Sequence, residues 1–166
     1  MHMPGHKGTG PLGFEQWDIT EIAGADALYE ADGIIAQSEQ NAAQLFGSAA
    51  TYYSTEGSSQ CIRAMLHLAV LNRQNGGERP LILAARNAHK AFLYACALLD
   101  LEVSWLWPQP GPQAALWSCP VSAHQLETAL SALPRTPAAV YITSPDYLGQ
   151  TADIAALAAV CHRFGT

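Results

Sequence analysis

The sequence predicts an α/β protein in which helices layer on a mostly parallel sheet. Three observations predict it. From residue 80 onward, short apolar runs alternate with helical patterns of about a dozen residues. Glycine, proline or asparagine stands at most of the junctions between them. The chain, at 166 residues, is long enough for one ordinary domain with a real core.

Taken in order, residues 1–13 (MHMPGHKGTGPLG) admit no regular helix, because Pro4, Gly5, Gly8 and Gly10 interrupt it. His2 and His6 have a metal-ligand spacing, but the Pro4-Gly5 pair between them removes the helix that would align them, and no metal site is expected. Glu15–Asp32 is acidic and irregular and reads as a solvated face or a partner-contacting arm. Gly33–Phe46 reads as an amphipathic helix, with Ile35, Ala42, Leu45 and Phe46 on one stripe and Gly47 as its stop. Tyr52 and Tyr53 sit in a short β-prone run, Gly57-Ser58-Ser59 turns the chain, and Cys61–Leu71 is strongly helical. Asn75-Gly76-Gly77 ends that helix.

The alternation then begins. Pro80–Ala84, Glu102–Leu106 and Pro137–Thr143 read as strands. Ala88–Leu99, Val121–Leu133 (with Ser122 as cap) and Thr151–Phe164 read as helices, and Pro108–Pro120 as a loop. Strands joined through helices argue for parallel βαβ units, with residues 1–32 as an arm and 33–166 as the layered domain. The chain closes on a helix ending in Phe164-Gly165, where another strand is expected, so the sheet reads as incomplete and the chain as part of a longer protein.

Composition excludes several functions. Lys and Arg total 8 against a net charge of −6, which makes nucleic acid and anionic membranes poor partners. No apolar run approaches the length that spans a bilayer, and the N-terminus lacks the apolar core of a secretion signal. The four cysteines, Cys61, Cys96, Cys119 and Cys161, form no CxxC pair, and a reduced cytoplasmic protein with buried thiols is the simplest account. With 49% hydrophobic and 13% charged residues, the surface suits a buried interface.

The stretch Thr51–Arg63 bears the most chemistry. A glycine turn that opens a helix presents free backbone N–H groups to an anion, and Ser58 and Ser59 add hydroxyl donors. The same serines are also preferred helix caps that need no ligand. What favours a ligand is convergence. In parallel sheets ligands gather at the carboxyl ends of the strands, and Thr55–Ser59, Arg86–Lys90 and Ser144–Gly149 all fall at such turns.

Five motifs in one order resemble the Orn/Lys/Arg decarboxylases, in particular the shorter bacterial members. They are MPGHKG (Met3–Gly8), the run holding Asp18, Thr20, Glu21, Gly24, Asp26 and Leu28, GSS (Gly57–Ser59), RNAHK (Arg86–Lys90) and ITSPDYLG (Ile142–Gly149). The resemblance implies a pyridoxal-phosphate enzyme with the three-layer α/β/α large domain of the aspartate-aminotransferase-like fold, of which this chain is the N-terminal part. It implies that Gly57, Ser58 and Ser59 hold the cofactor phosphate and that His89 stacks on the pyridine ring. For His89 a capping role at the helix start stays open. Ser144 is placed near the cofactor. His6, Lys7, Glu21, Asp26 and Tyr147 are placed toward a basic amino-acid substrate, with a solvated or packing role open for each. A homodimer or higher homo-oligomer is implied.

The chain departs from the pattern at one point. The family's Schiff-base lysine and the aspartate that holds the pyridine nitrogen protonated have no counterpart, since the only lysines are Lys7 and Lys90. The chain alone is therefore expected to be inactive and the full-length parent active as a decarboxylase. The alternatives are another pyridoxal-phosphate enzyme of the same fold, such as an aminotransferase or lyase, or a non-catalytic phosphate-binding or interaction module.

Overall fold

The computed structural model describes residues 5–19, 22, 24–72, 77–109 and 118–166. The chain forms two compact units, Met1–Thr55 and Glu56–Thr166.

In the first unit a 3-10 turn, Glu15–Trp17, precedes helix α1, Ile34–Phe46. Gly47 ends α1 with φ +64, a left-handed conformation that glycine adopts without strain. At the other end Gly33 has no side chain to cap with, and Asp26 does so from seven residues upstream. Its Oδ2 accepts from the amides of Gly33 (3.0 Å) and Ile35 (2.8 Å), and its Oδ1 from those of Ala27 (2.8 Å) and Asp32 (3.2 Å). The apolar stripe of α1 is present but uncovered within the unit: Leu45 is 80% and Phe46 77% exposed. The β-prone run at Tyr52 and Tyr53 forms no strand. The Tyr53 amide instead donates to the Glu39 carboxylate (2.9 Å), and its phenol shares a 2.8 Å hydrogen bond with Ser38. β-propensity measures fit to a pleated, half-buried surface, and here α1 claims the backbone donor first.

The second unit is the predicted α/β layer structure. Its elements are α2 (Ser58–Leu71), β1 (Leu81–Ala85), α3 (Lys90–Leu98), β2 (Glu102–Leu106), α4 (Ala123–Ala132), β3 (Ala139–Tyr141) and α5 (Ile154–Phe164). The sheet order is β2-β1-β3 and both pairings are parallel. Most bounds differ from expectation by one to three residues, and α5 starts at Ile154 rather than Thr151. Helix α2 starts at Ser58 rather than Cys61, because Gly57, not a serine, is its N-cap. Strand β3 pairs over three residues rather than seven.

Strand β1 organises the core. All five of its residues are buried, and they alternate between two clusters. Leu83 and Ala85 pack with Leu126 and Leu130 of α4 and Leu157 and Val160 of α5. Ile82 and Ala84 pack with Leu66 of α2 and Phe92, Ala95 and Cys96 of α3. That period-2 alternation into two apolar clusters makes the three layers. Phe92 fills the second face between Trp105 (centroids 5.9 Å apart) and Tyr141 (4.4 Å), which flank Ala84 from β2 and β3.

The amino edge of the sheet is tied by charge. Arg135, just before β3, pairs with Glu102 at the start of β2 and with Glu78 (3.6 Å), and donates to the Arg79 carbonyl (3.1 Å). All four cysteines are free. Cys96 and Cys119 are buried as expected, and burial pushes the Cys96 thiol up to about 11. Cys61 is exposed, contrary to expectation, because it lies on the outward side of α2.

Replacing Phe92 by Ala empties the space between Trp105 and Tyr141 and is expected to cost about 3–5 kcal/mol of stability. Urea denaturation followed by circular dichroism measures this; a loss under about 1 kcal/mol contradicts the assignment of Phe92 to the core.

Candidate functional site

Because all strands are parallel, their carboxyl ends share one edge, and the turns that follow them carry the candidate residues. After β1 the Arg86 amide donates to the Leu106 carbonyl (3.0 Å) and the Ala88 amide to the Ala85 carbonyl (3.2 Å). His89 then caps α3: its Nδ1 accepts from the Ala91 amide at 3.1 Å. The capping role left open by the sequence is therefore present. It also fixes the ring, and it places the proton of the neutral imidazole on Nε2, on the side away from the helix.

Ser58 and Ser59 are the first two residues of α2. Gly57 precedes them with φ +69, and no side chain caps the helix. A Cβ at Gly57 would meet nothing within 4 Å, so glycine is needed there for backbone conformation, not for space. The serine-cap alternative is thus not realised: the Gln60 and Cys61 amides donate to the Gly57 carbonyl (3.1 and 3.4 Å), and no side chain caps the amides of Ser58 and Ser59. Glu56, next to the turn, is tied to Arg63 at 2.7 Å. The far end of α2 is at the amino edge, where Ala69 and Asn72 share a cavity with Thr136 and Ala138, which lead into β3. The helix is about 21 Å long at 1.5 Å per residue, so its serine-bearing start is turned toward the carboxyl edge, the edge that His89 occupies.

The turn after β3 is pinned by one buried hydroxyl. Ser118, 2% exposed, donates to Asp146 Oδ2 at 2.6 Å and lies 3.0 Å from Gln150 Oε1. Asp146 Oδ1 accepts from the Leu148 and Gln150 amides, both at 2.9 Å. The Ser118 hydroxyl holds the Asp146 carboxyl below the usual carboxylate range; partial burial opposes this and the two amides add to it. Ser144 Oγ accepts from the Ala152 amide (3.0 Å), which leaves its proton to donate elsewhere. Tyr147 is 71% exposed. Ser118 is the residue the sequence did not reveal. It follows a proline-rich stretch of sequence, and only its contact with Asp146, 28 residues away in the chain, gives it meaning.

Between these turns lies a cavity of about 130 Å³ lined by Asn87, Cys119, Thr143, Asp146, Thr151 and others. The Oδ1 of Asn87 is out of contact with solvent and has no hydrogen-bond partner among the described residues, which marks the edge as a place for a polar ligand. The volume is under half that of the smallest usual ligand pockets, about 300 Å³, so a ring-shaped cofactor would lie across the open edge rather than inside this cavity.

Of the remaining expected residues, three lie in the first unit. His6 accepts the Gly8 amide on Nδ1 (3.0 Å) and pairs through Nε2 with Asp18 (3.1 Å), so it is held in a turn rather than on a loose arm. Lys7 is exposed, with φ +56. Asp26 spends both carboxylate oxygens on four amides. Burial raises its pKa, but the amides outweigh it and the net shift is downward. Its expected place beside a cationic substrate gains no support from this geometry, which gives it the structural task of starting α1. Glu21 lies outside the described residues. No group of three or more metal-ligating side chains, and no helix long and apolar enough to cross a membrane, occurs among the described residues.

Comparison with known proteins gives a consistent picture. Residues 13–166 match the family described as Orn/Lys/Arg decarboxylase, major domain. The chain is 30% identical over 175 residues to an uncharacterized protein of Bacillus subtilis, YaaO, covering 99% of this chain and 35% of that one. It is 28% identical over 173 residues to an arginine decarboxylase of Halalkalibacterium halodurans, covering 98% and 33%. The chain thus spans about a third of the length of these relatives. Among solved structures, the constitutive lysine decarboxylase of E. coli superposes with a TM-score of 0.61 at 20% identity, over 89% of this chain and 23% of that one. This likeness shows the fold.

The pinned turn has a pH signature. Asp146 has a folded pKa below its unfolded one, so its contribution to stability is present above the ordinary carboxylate value of about 3.9 and is lost as pH falls through the lower folded value. In Ser118→Ala the Asp146 carboxyl should titrate at higher pH, so its contribution to stability should be smaller and its loss should be complete at a higher pH. Carbon-13 NMR titration of both proteins checks this; an unchanged Asp146 titration rejects the Ser118 assignment.

Proposed function

The chain belongs to the Orn/Lys/Arg decarboxylase family, and from that premise we propose that it forms the cofactor-binding edge of a pyridoxal-phosphate-dependent decarboxylase of a basic amino acid. Arginine is the first candidate substrate, since the named arginine decarboxylases are among its relatives; lysine and ornithine follow. The observation that carries the reading is the start of α2: Gly57 at positive φ, then two serines, on a helix with no side-chain cap.

In this reading the amides and hydroxyls of Ser58 and Ser59 hold the cofactor phosphate, aided by the helix dipole. The His89 ring, fixed in orientation by its bond to the Ala91 amide, lies against the pyridine plane. Ser144 donates its free proton toward the cofactor. Tyr147, on the turn pinned by Ser118, borders the substrate. Pyridoxal phosphate, when bound, supplies an electron sink for the pair left behind as the α-carboxylate departs as carbon dioxide. The covalent anchor is not among the residues of this chain, because Lys90 opens α3 next to the stacking histidine and Lys7 lies in the glycine-rich arm. The chain by itself is accordingly inactive. A second copy would cover exposed apolar residues of α2 and α3 such as Leu68, Leu71, Tyr94 and Leu98.

Calorimetric titration with pyridoxamine 5′-phosphate, which needs no covalent anchor, tests the phosphate assignment. The Ser58→Ala/Ser59→Ala double variant should bind about tenfold or more weakly, the scale of lost hydrogen bonds to a charged group; unchanged affinity rejects it. His89→Asn separates the two roles of that residue, because asparagine still caps a helix but offers no ring. Its thermal stability should stay near that of the wild type while affinity falls. With pyridoxal phosphate itself, the chain should show no visible absorbance band that survives gel filtration.

A further inference from the structure

Arg86 opens the turn between β1 and His89. Its guanidinium carbon lies 5.4 Å from the ring centroids of both Trp105 and Trp107, within cation–π range of each. Ring contacts of this kind use the faces of the guanidinium. Its five N–H donors lie in the plane and are not spent by them. The contrast with the other described arginines is sharp. Arg63 pairs with Glu56, Arg79 with Asp100, Arg135 with Glu78 and Glu102, and Arg163 with Glu127. Arg86 alone has no carboxylate partner among the described residues.

A second observation points the same way. Lys90 is the first residue of α3, and the first turn of that helix holds no acidic residue. A cation at a helix start is opposed by the helix dipole, where an anion is favoured. Arg86, Lys90 and the positive end of α3 are thus gathered within five residues, in a chain with only 8 Lys and Arg and a net charge of −6. Nothing described offsets that charge.

We propose that Arg86 is the receptor for a ligand carboxylate at the carboxyl edge of the sheet, its in-plane donors gripping the anion while Trp105 and Trp107 hold the guanidinium. A planar fork held against two rings matches the two oxygens of a carboxylate, and it is pre-organised, so little side-chain entropy is lost on binding. The identity of the ligand rests on the decarboxylase reading: the start of α2 takes the cofactor phosphate, and the carboxylate left to recognise is that of the basic amino acid. Lys90 adds charge to the site without fixing geometry.

The two tryptophans make the test direct. L-Arginine and agmatine differ only in the carboxylate. Titrated into the full chain and followed by tryptophan fluorescence, L-arginine should act at about tenfold lower concentration than agmatine, the scale of a charge-assisted hydrogen bond. Arg86→Gln should erase the difference, and Arg86→Lys, which keeps the charge but not the fork, should retain part of it, with the circular dichroism of both variants unchanged. The proposal falls if Arg86→Gln keeps the preference, if the wild type responds to no carboxylate, or if inorganic phosphate gives an Arg86-dependent response at lower concentration than any carboxylate. Succinate separates this proposal from the decarboxylase reading. An Arg86-dependent response in which L-arginine is no better than succinate upholds the receptor and removes the amino-acid substrate.

Discussion

The second unit depends on the burial of β1 on both faces. Five consecutive residues, Leu81–Ala85, have no contact with solvent that matters, so the backbone groups between them must be paired, and parallel neighbours on both sides pair them. The helices follow from the same constraint. Each face of a doubly buried strand needs an apolar cover, which α2 and α3 supply on one side and α4 and α5 on the other. Ala84 is small where Phe92 sits over it, with Trp105 and Tyr141 closing the flanks.

A strand covered on both faces leaves its two ends as the places where polar chemistry can happen, and the ends differ. At the amino edge Arg135 reaches Glu102, Glu78 and the Arg79 carbonyl. Exposed pairs of this kind contribute little stability each, but they satisfy the charges and leave none for a ligand. At the carboxyl edge the order is reversed. Arg86 rests on indoles, Asn87 Oδ1 has no partner among the described residues, and α2 begins without a side-chain cap. Polar groups without internal partners are costly when solvent is excluded, and their accumulation at one edge marks where the unit is made for something else to bind.

Two hydrogen-bonded carboxylates illustrate how similar chemistry serves different ends. Asp26 holds four amides and starts α1; Asp146 holds two amides and the Ser118 hydroxyl and shapes the turn after β3. Both titrate low for that reason. The second lies at the carboxyl edge of the sheet and acts there through the shape of the turn.

The sequence by itself determined the class of fold, the parallel order of strands and helices, the caps at Ser122 and Gly47, and the family, because these depend on local periodicity, on turn chemistry and on motifs whose order survives without coordinates. It also located the turns that carry Ser58, Ser59, His89 and Ser144. It did not determine the fate of Tyr52 and Tyr53, a β-prone run in which the Tyr53 amide donates to the Glu39 carboxylate instead, or the capping work of Asp26, which joins residues nine apart that no period relates. Ser118 was silent for the same reason, being meaningful only beside Asp146. Arg86 read as part of a motif until Trp105 and Trp107 were seen around it. Local chemistry is written in neighbouring residues; which polar group meets which, and which is left without a partner, is decided when the parallel strands bring distant turns to one edge.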